Sequence, residues 1–271
     1  MVENVSEAAL RKEEKLKELL AGYGSIAIAY SGGVDSTYLA DVAHEVLGDS
    51  AGLILADSPS MPRSELAEAK AMARARGWNL VVVATNEFRN EAFLRNDAQR
   101  CYHCKVERFD TMKAYTAERD IAVVAHGENA DDARDSTRVG AVAASERGVV
   151  APLQEVGLTK DELRILSRRR NLPTWNKASF ACLATRIPTG TRLDIAELAK
   201  VEQAEEVLKR LGFHQYRVRR YGDLARIEIE SGQFARVIDP EVRTAILAEL
   251  APLGYRHITL DLAGYGGGTM G

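Results

Sequence analysis

Cysteine is scarce in this chain. There are three, Cys101, Cys104 and Cys182, in 271 residues. So small and odd a set argues against a disulfide framework and points to metal ligation or reactive thiols. Charge of one sign is missing too. The 36 basic residues stand against 39 acidic ones, a net charge of −3, so no bulk basic field is offered to nucleic acid. No apolar run approaches transmembrane length, which argues against a membrane partner. Residues 1–20 are dense in Glu and Lys and lack an apolar signal core, which leads us to expect a cytoplasmic protein. There is no internal repeat, and the length allows one large or two modest domains.

What is present is organised around residues 25–36, SIAIAYSGGVDS. An apolar run enters Ser31-Gly32-Gly33-Val34-Asp35-Ser36, and an apolar helix follows. A strand, a glycine turn and a helix present backbone N–H groups and a helix N-terminus to an anion. Gly32 and Gly33 permit positive φ and close ligand approach. Ser31 and Ser36 add hydroxyls. Asp35 would repel phosphate unless it holds Mg²⁺ that phosphate also binds. No Gly-Lys-Ser/Thr follows, so this is not a Walker A loop.

Further short apolar runs at 52–56, 80–84, 121–125 and 149–153 read as strands, with helices expected at 3–20, 37–47, 64–76 (Ser64 as N-cap), 86–96 and 105–119. This alternation implies an α/β fold, a parallel sheet covered by helices on both faces. Ligands bind at the carboxyl ends of such strands. The glycine loop lies there, as do Asp57, with Arg63 nearby, and the stretch Gly127-Glu128-Asn129-Ala130-Asp131-Asp132. The adjacent acids Asp131 and Asp132 suit Mg²⁺ or helix capping, and their place at a strand end favours ligand contact. Arg138 suits phosphate or solvent. A capping box, Thr159 to Glu162, opens a helix to about residue 170. The irregular stretch 171–193 then marks a boundary. We expect domains at 1–170 and 194–271, joined by this cysteine-bearing loop. The second is a small α+β unit with helices at 194–211 and 240–250, a hairpin around Gly222-Asp223 and a strand at 255–260. The tail from residue 264, GYGGGTMG, reads as flexible.

Cys101-Tyr102-His103-Cys104 is a C-x-x-C. With a third thiolate from Cys182 it suits a [4Fe–4S] cluster with one iron left open. Unlinked, partly buried thiols are the alternative. Arg217 and Arg219 alternate along one strand and share a face. They suit a phosphate, or pairing with Glu228 and Glu230 on the next strand. Trp175 and Phe180 suit either stacking on an aromatic substrate or a place in the core.

SGGVDS at 31–36 resembles the PP-loop of the ATP pyrophosphatases. Together with ADSPSMPR at 56–63, RCYHCK at 100–105, HGENADD at 126–132, KASFACLATRIPTG at 177–190 and YRVRRYGDLARIEI at 216–229, the chain resembles the LarE family of ATP-dependent sulfur transferases over nearly its whole length. That resemblance implies a PP-loop domain with a small C-terminal domain, assembled into homo-oligomers. It implies thiolation of pyridinium-3,5-biscarboxylic acid mononucleotide, toward the nickel-pincer nucleotide of lactate racemase. ATP and Mg²⁺ would serve Ser31, Gly32, Gly33, Asp35, Ser36, Asp57, Arg63, Gly127, Asp131 and Asp132. Arg217 and Arg219 would hold the substrate phosphate.

The resemblance offers two sulfur routes. Cys182 is consumed in one, leaving dehydroalanine. In the other, Cys101, Cys104 and Cys182 hold a reusable [4Fe–4S] cluster fed by an unidentified sulfide source. The presence of all three cysteines favours the cluster. A tRNA thiolase stays open through the basic run Arg168-Arg169-Arg170, against the negative net charge. So does a non-catalytic nucleotide-binding Fe–S protein. An amidating enzyme is disfavoured because no glutaminase segment is present.

Overall fold

The computed structural model describes residues 6–132, 139–178 and 181–266. Arg138, Phe180 and residues 267–271 of the tail lie outside the described residues. In chain order the elements are α1 (Glu7–Tyr23), β1 (Ile26–Tyr30), α2 (Val34–Leu47), β2 (Ala51–Asp57), α3 (Arg63–Arg76), β3 (Asn79–Ala84), α4 (Glu91–Leu94), α5 (Arg100–Ala117), β4 (Val123–His126), α6 (Val139–Glu146), α7 (Pro152–Glu155), α8 (Lys160–Arg169), α9 (Ile195–Arg210), β5 (Tyr216–Tyr221), β6 (Leu224–Ile229), α10 (Phe234–Ile238), α11 (Pro240–Leu250) and β7 (His257–Leu260). They form two compact units. The first comprises residues 1–58, 63–87 and 101–180, and the second 59–62, 88–100 and 181–271.

In the first unit β3-β2-β1-β4 form a four-stranded sheet among the described residues, and every pairing is parallel. Its strands are apolar on both faces, as a sheet covered on both sides requires. Ala27 and Ala29 turn to one side, where Ile54, Ala56 and Val124 meet Phe109 and Met112 of α5 and Ala144 of α6. Ile26 and Ile28 are one residue out of phase and turn to the other side. There α2 packs on β1 and β2, and α1 and α8 pack on α2. This α/β sheet, with the glycine loop at the carboxyl end of its inner strand β1, is the fold class expected from the sequence. The second unit holds a three-stranded sheet, β5-β6-β7. β5 and β6 form the antiparallel hairpin turning at Gly222, whose φ is +64°, and β7 adds parallel to β6. Leu208, Val218, Ile227, Ile229, Ile246 and Leu250 close its core.

Four local expectations change. Helix α3 begins at Arg63, so Ser64 lies inside it and is not its N-cap. Residues 86–96 form a 3-10 turn and the short α4 instead of one helix. Helix α5 begins at Arg100 rather than near 105, which puts the C-x-x-C on the helix. The strand expected at 149–153 is a single bridge, Ala125 to Val150, because helix α7 starts at Pro152. Proline has no N–H for a ladder and favours the first turn of a helix. The capping box of Thr159 with Glu162 is present, and Asp194 caps α9 through Glu197 N.

Candidate functional site

The glycine loop closes on itself through its serines. Ser36 Oγ accepts from Ser31 N at 3.2 Å, the two serine hydroxyls lie 3.0 Å apart, and Gly33 N points at Ser31 Oγ at 3.4 Å. Gly32 takes φ +72°, and a Cβ there would sit 2.8 Å from Ala69 Cβ of α3. Gly33 is extended, with φ −81°, and stands as N-cap of α2. A Cβ at Gly127 would meet Ser36 N at 3.0 Å. Glycine at 127 therefore lets the end of β4 lie against the first turn of α2. The N-terminal N–H groups of a 14-residue helix are thus framed by small residues on both sides, the setting for an oxyanion ligand.

The acids gather beside this loop. Asp35 accepts from Asn129 Nδ2 at 3.4 Å, and Lys160 Nζ lies 2.8 Å from both of its carboxylate oxygens. Asn129 Oδ1 accepts from Asp131 N and Asp132 N, while Asp132 Oδ2 accepts from Asn129 N at 3.1 Å. Asp131 Oδ2 accepts from Lys160 N at 2.8 Å, capping α8. Asp35, Asp131 and Asp132 are thus joined through Asn129 and Lys160. Among the described residues no three His, Cys, Asp or Glu side chains form a ready metal cage. Mg²⁺ does not need one, since it keeps several waters and takes one or two carboxylates plus nucleotide phosphates. Hard oxygen donors beside a phosphate loop fit that ion.

At the end of β2, Asp57 and Arg63 are paired, Nη1 to Oδ1 at 2.5 Å, and Arg63 also bonds Ser58 O. At the end of β4, Glu128 is paired with Lys105 of α5. His126 sits behind them, edge-on to Phe109. Burial pushes His126 down to about 4, with Glu128 opposing and Lys105 assisting, so its imidazole is neutral at physiological pH. Lys105 follows Cys104 directly, so this ion pair fastens the cysteine-bearing helix to the strand end. Cys101 is exposed and Cys104 half-buried. Three residues apart on a helix, they share a face. Two soft thiols on one face fit two ligands of an iron–sulfur centre. The third sequence-derived ligand, Cys182, belongs to the second unit.

There Cys182 is half-buried and precedes a 3-10 turn, Leu183–Arg186. Arg186, 1% exposed, donates from Nη1 to Ala181 O at 2.8 Å and to Cys182 O at 3.3 Å. Its other nitrogens pair with Glu205 at 2.8 and 3.1 Å, and Glu205 accepts from Val218 N of β5 at 3.0 Å. Burial alone would disfavour the Arg186 charge, and Glu205 more than offsets it, so the guanidinium is held above its ordinary value. Arg219 continues the network. It is 4% exposed, bonds Thr185 O at 2.9 Å and is paired with Glu228. Arg217 faces the same side and is half-buried, with its guanidinium 4.8 Å above the Tyr265 ring. Its Nε has no hydrogen-bond partner among the described residues. The cysteine turn and the arginine strand are therefore one hydrogen-bonded body.

Sequence reasoning missed Lys160, Lys105, Arg186 and Glu205. Glu205 did leave a trace. It occupies an apolar-stripe position of α9, seven residues after Leu198, beside Val201, Ala204 and Leu208. Lys160 did too, as a cation in the first turn of a helix. Of the basic run, Arg170 is the member held closely by carboxylates. Arg170 pairs with Glu13, Asp41 and Glu45, Arg169 approaches Glu13, and Arg168 stacks over Trp175 at 4.9 Å. No helix among the described residues is long and apolar enough to cross a membrane.

No family model matches the chain. Curated proteins do. An uncharacterised protein of Synechocystis sp. is 40% identical over 95% of this chain and 97% of its own length. An uncharacterised protein of Methanocaldococcus jannaschii is 28% identical over 89% of this chain and 90% of its own length. The pyridinium-3,5-bisthiocarboxylic acid mononucleotide synthase of Lactiplantibacillus plantarum is 32% identical over 96% of this chain and 93% of its own length. With that identity across both chains, and an α/β sheet carrying SGGVDS at a strand end, this chain is an enzyme belonging to the LarE family of pyridinium-3,5-bisthiocarboxylic acid mononucleotide synthases.

Proposed function

We propose that the protein is an ATP-dependent sulfur transferase acting on pyridinium-3,5-biscarboxylic acid mononucleotide. A carboxylate is a poor acyl donor. Adenylation with loss of pyrophosphate turns it into a good one, and a sulfur nucleophile then displaces AMP to leave a thiocarboxylate. The observation that carries this reading is the near-full-length likeness to the named synthase. The glycine loop gives it a chemical basis.

Ser31, Gly32, Gly33, Ser36 and Gly127 would seat the phosphates, while Asp57 and Arg63 would face the nucleoside end. Asp35, with Asp131 or Asp132, would hold Mg²⁺, which neutralises phosphate charge when bound. Holding the reactants in register is most of what such a site contributes. Arg217 keeps donor capacity for the substrate's phosphate. Arg219 would act beside it, held in place by Glu228. Residues 194–271 would thus form the substrate-binding domain. A [4Fe–4S] cluster on Cys101, Cys104 and Cys182 would supply a reusable sulfide. The product would serve the nickel-pincer cofactor of lactate racemase. We also infer a homo-oligomer, as the family resemblance implies. Light scattering that finds only monomer would reject that part.

The test is pyrophosphate release that depends on the biscarboxylic acid mononucleotide, with mass spectrometry of the product for oxygen-to-sulfur exchange. ATP binding without pyrophosphate release would sink the reading in favour of a non-catalytic nucleotide-binding protein. Release that needs tRNA would move it to tRNA thiolation. Iron and sulfide content of anaerobic protein, beside Cys101→Ala, decides the sulfur route. Iron-free protein that still thiolates, with dehydroalanine at position 182 afterwards, rejects the cluster.

A further inference from the structure

We propose that Lys160 is the resident counter-ion of the phosphate loop. It neutralises Asp35 while no nucleotide is bound, and it transfers to the terminal phosphates of ATP when Mg²⁺ takes Asp35. The inference deepens the nucleotide-site reading above and rests on it.

Lys160 Nζ stands 2.8 Å from both oxygens of Asp35. Its own backbone N–H donates to Asp131 Oδ2 at 2.8 Å. One residue therefore joins the two acids best placed to hold the metal. Its location is locally unfavourable. Lys160 is the first residue of α8, where acids are expected and where Asp161 and Glu162 follow. A cation there opposes the helix macrodipole. Local rules broken in this way are commonest at functional sites. Here two carboxylates offset the cost.

Occupation of Asp35 is competitive. An ammonium straddling both oxygens takes the chelating face of the carboxylate, and two cations on one carboxylate repel. Mg²⁺ binding at Asp35 therefore favours release of Lys160. Its side chain is a third exposed, while Asp35 is 19% exposed, so the ammonium has a solvent-side route. Its flexible four-carbon stem can carry the charge without backbone movement. The nucleotide arriving with Mg²⁺ brings the negative charge that takes the released ammonium. The same ammonium then lies where charge collects on departing pyrophosphate. Before binding, Lys160 balances Asp35. After binding, Mg²⁺ balances Asp35 and Lys160 balances phosphate.

The test uses Mn²⁺ as probe, followed by electron paramagnetic resonance without nucleotide, on wild type, Lys160→Met, Lys160→Arg and the Asp35→Asn backgrounds of each. Lys160→Met should bind Mn²⁺ at least about tenfold more tightly, a conservative figure for removing a unit charge in a half-buried site. The gain should vanish with Asp35→Asn. Lys160→Arg keeps the charge, so its Mn²⁺ affinity should stay at the wild-type level. Calorimetry with α,β-methylene-ATP and Mg²⁺ should show the opposite sign, with Lys160→Met about tenfold weaker and Lys160→Arg between the two. Unchanged or weaker Mn²⁺ binding in Lys160→Met overturns the proposal, as does full analogue affinity. Should Lys160→Met fail to fold, tighter Mn²⁺ binding by Lys160→Arg would overturn it equally. None of these arms needs turnover. Absent pyrophosphate release would refute the reaction while leaving the counter-ion question decided separately.

Discussion

Replacing Glu205 tests the body that carries Cys182. Glu205 is 5% exposed and its partner Arg186 1%. Glu205→Met removes the counter-charge of a buried guanidinium, a loss of about 3–5 kcal/mol. It also orphans Val218 N–H, which now donates to Glu205 at 3.0 Å, for roughly 1–3 kcal/mol more. Against a total stability of about 5–15 kcal/mol, that is enough to loosen the second unit. Glu205→Gln retains an oxygen acceptor for Val218, so it isolates the charge and should cost less. Arg186→Met combined with Glu205→Met should cost less than the sum of the two, because neither charge is left alone. Trp78 and Trp175 lie in the first unit, so fluorescence would miss the change. The assay is hydrogen-exchange mass spectrometry of peptides from α9, β5 and the turn at Leu183–Arg186. A loss of about 3 kcal/mol raises exchange there by roughly 100-fold. Strict additivity of the two substitutions, or unchanged protection in Glu205→Met, would refute the argument that the pair holds this turn.

Other consequences are open to test. His126 has a folded value of about 4, below its ordinary 6.5. Between these values the unfolded chain binds a proton that the native one refuses, so stability rises with pH across that window by about 1.4 kcal/mol per unit. His126→Phe should flatten that part of the profile in urea denaturation from pH 7 to 4.5, and equal acid sensitivity would contradict the assignment. Gly32→Ala combines φ +72° with a 2.8 Å approach to Ala69 Cβ, costing about 1–2 kcal/mol for the backbone and roughly 1–3 for overpacking. Its analogue affinity should fall, and Ala69→Gly should restore part of it; no restoration would place the cost elsewhere. Arg217→Met should raise KM for the mononucleotide with little loss of Tm. Arg219→Met leaves Glu228, 1% exposed, with Arg226 Nη2 at 3.0 Å as its remaining cation and should lose roughly 1–3 kcal/mol of stability. A thermal melt and KM for both variants check this, and the reversed pattern would refute it.

Much of the fold was legible because its signals are local. Apolar runs five to seven residues long became β1 and β2, Thr159 and Asp194 opened their helices, and Gly222 turned the hairpin. Reading failed where a local signal was weak or was overruled. Nothing before residue 105 announced α5, since cysteine, tyrosine and histidine are middling helix formers and the helix start carries no acid in its first turn. The run at 149–153 is apolar enough for a strand, yet Pro152 sends the backbone into α7.

For the site, the sequence by itself determined which chemistry is available: a glycine loop for phosphate, carboxylates at strand ends, three thiols and two arginines on one strand face. Those follow from residue type and from periods of two and 3.6 residues. Tertiary structure alone decided the pairing of charges. Lys160 reaches Asp35 across 125 positions, Lys105 reaches Glu128 across 23, and Arg186 reaches Glu205 across 19. A charged side chain carries no mark of its partner in the sequence. The partner is chosen when folding removes water from both, because an ion taken out of water is tolerable only beside an opposite charge that packing has already brought within reach.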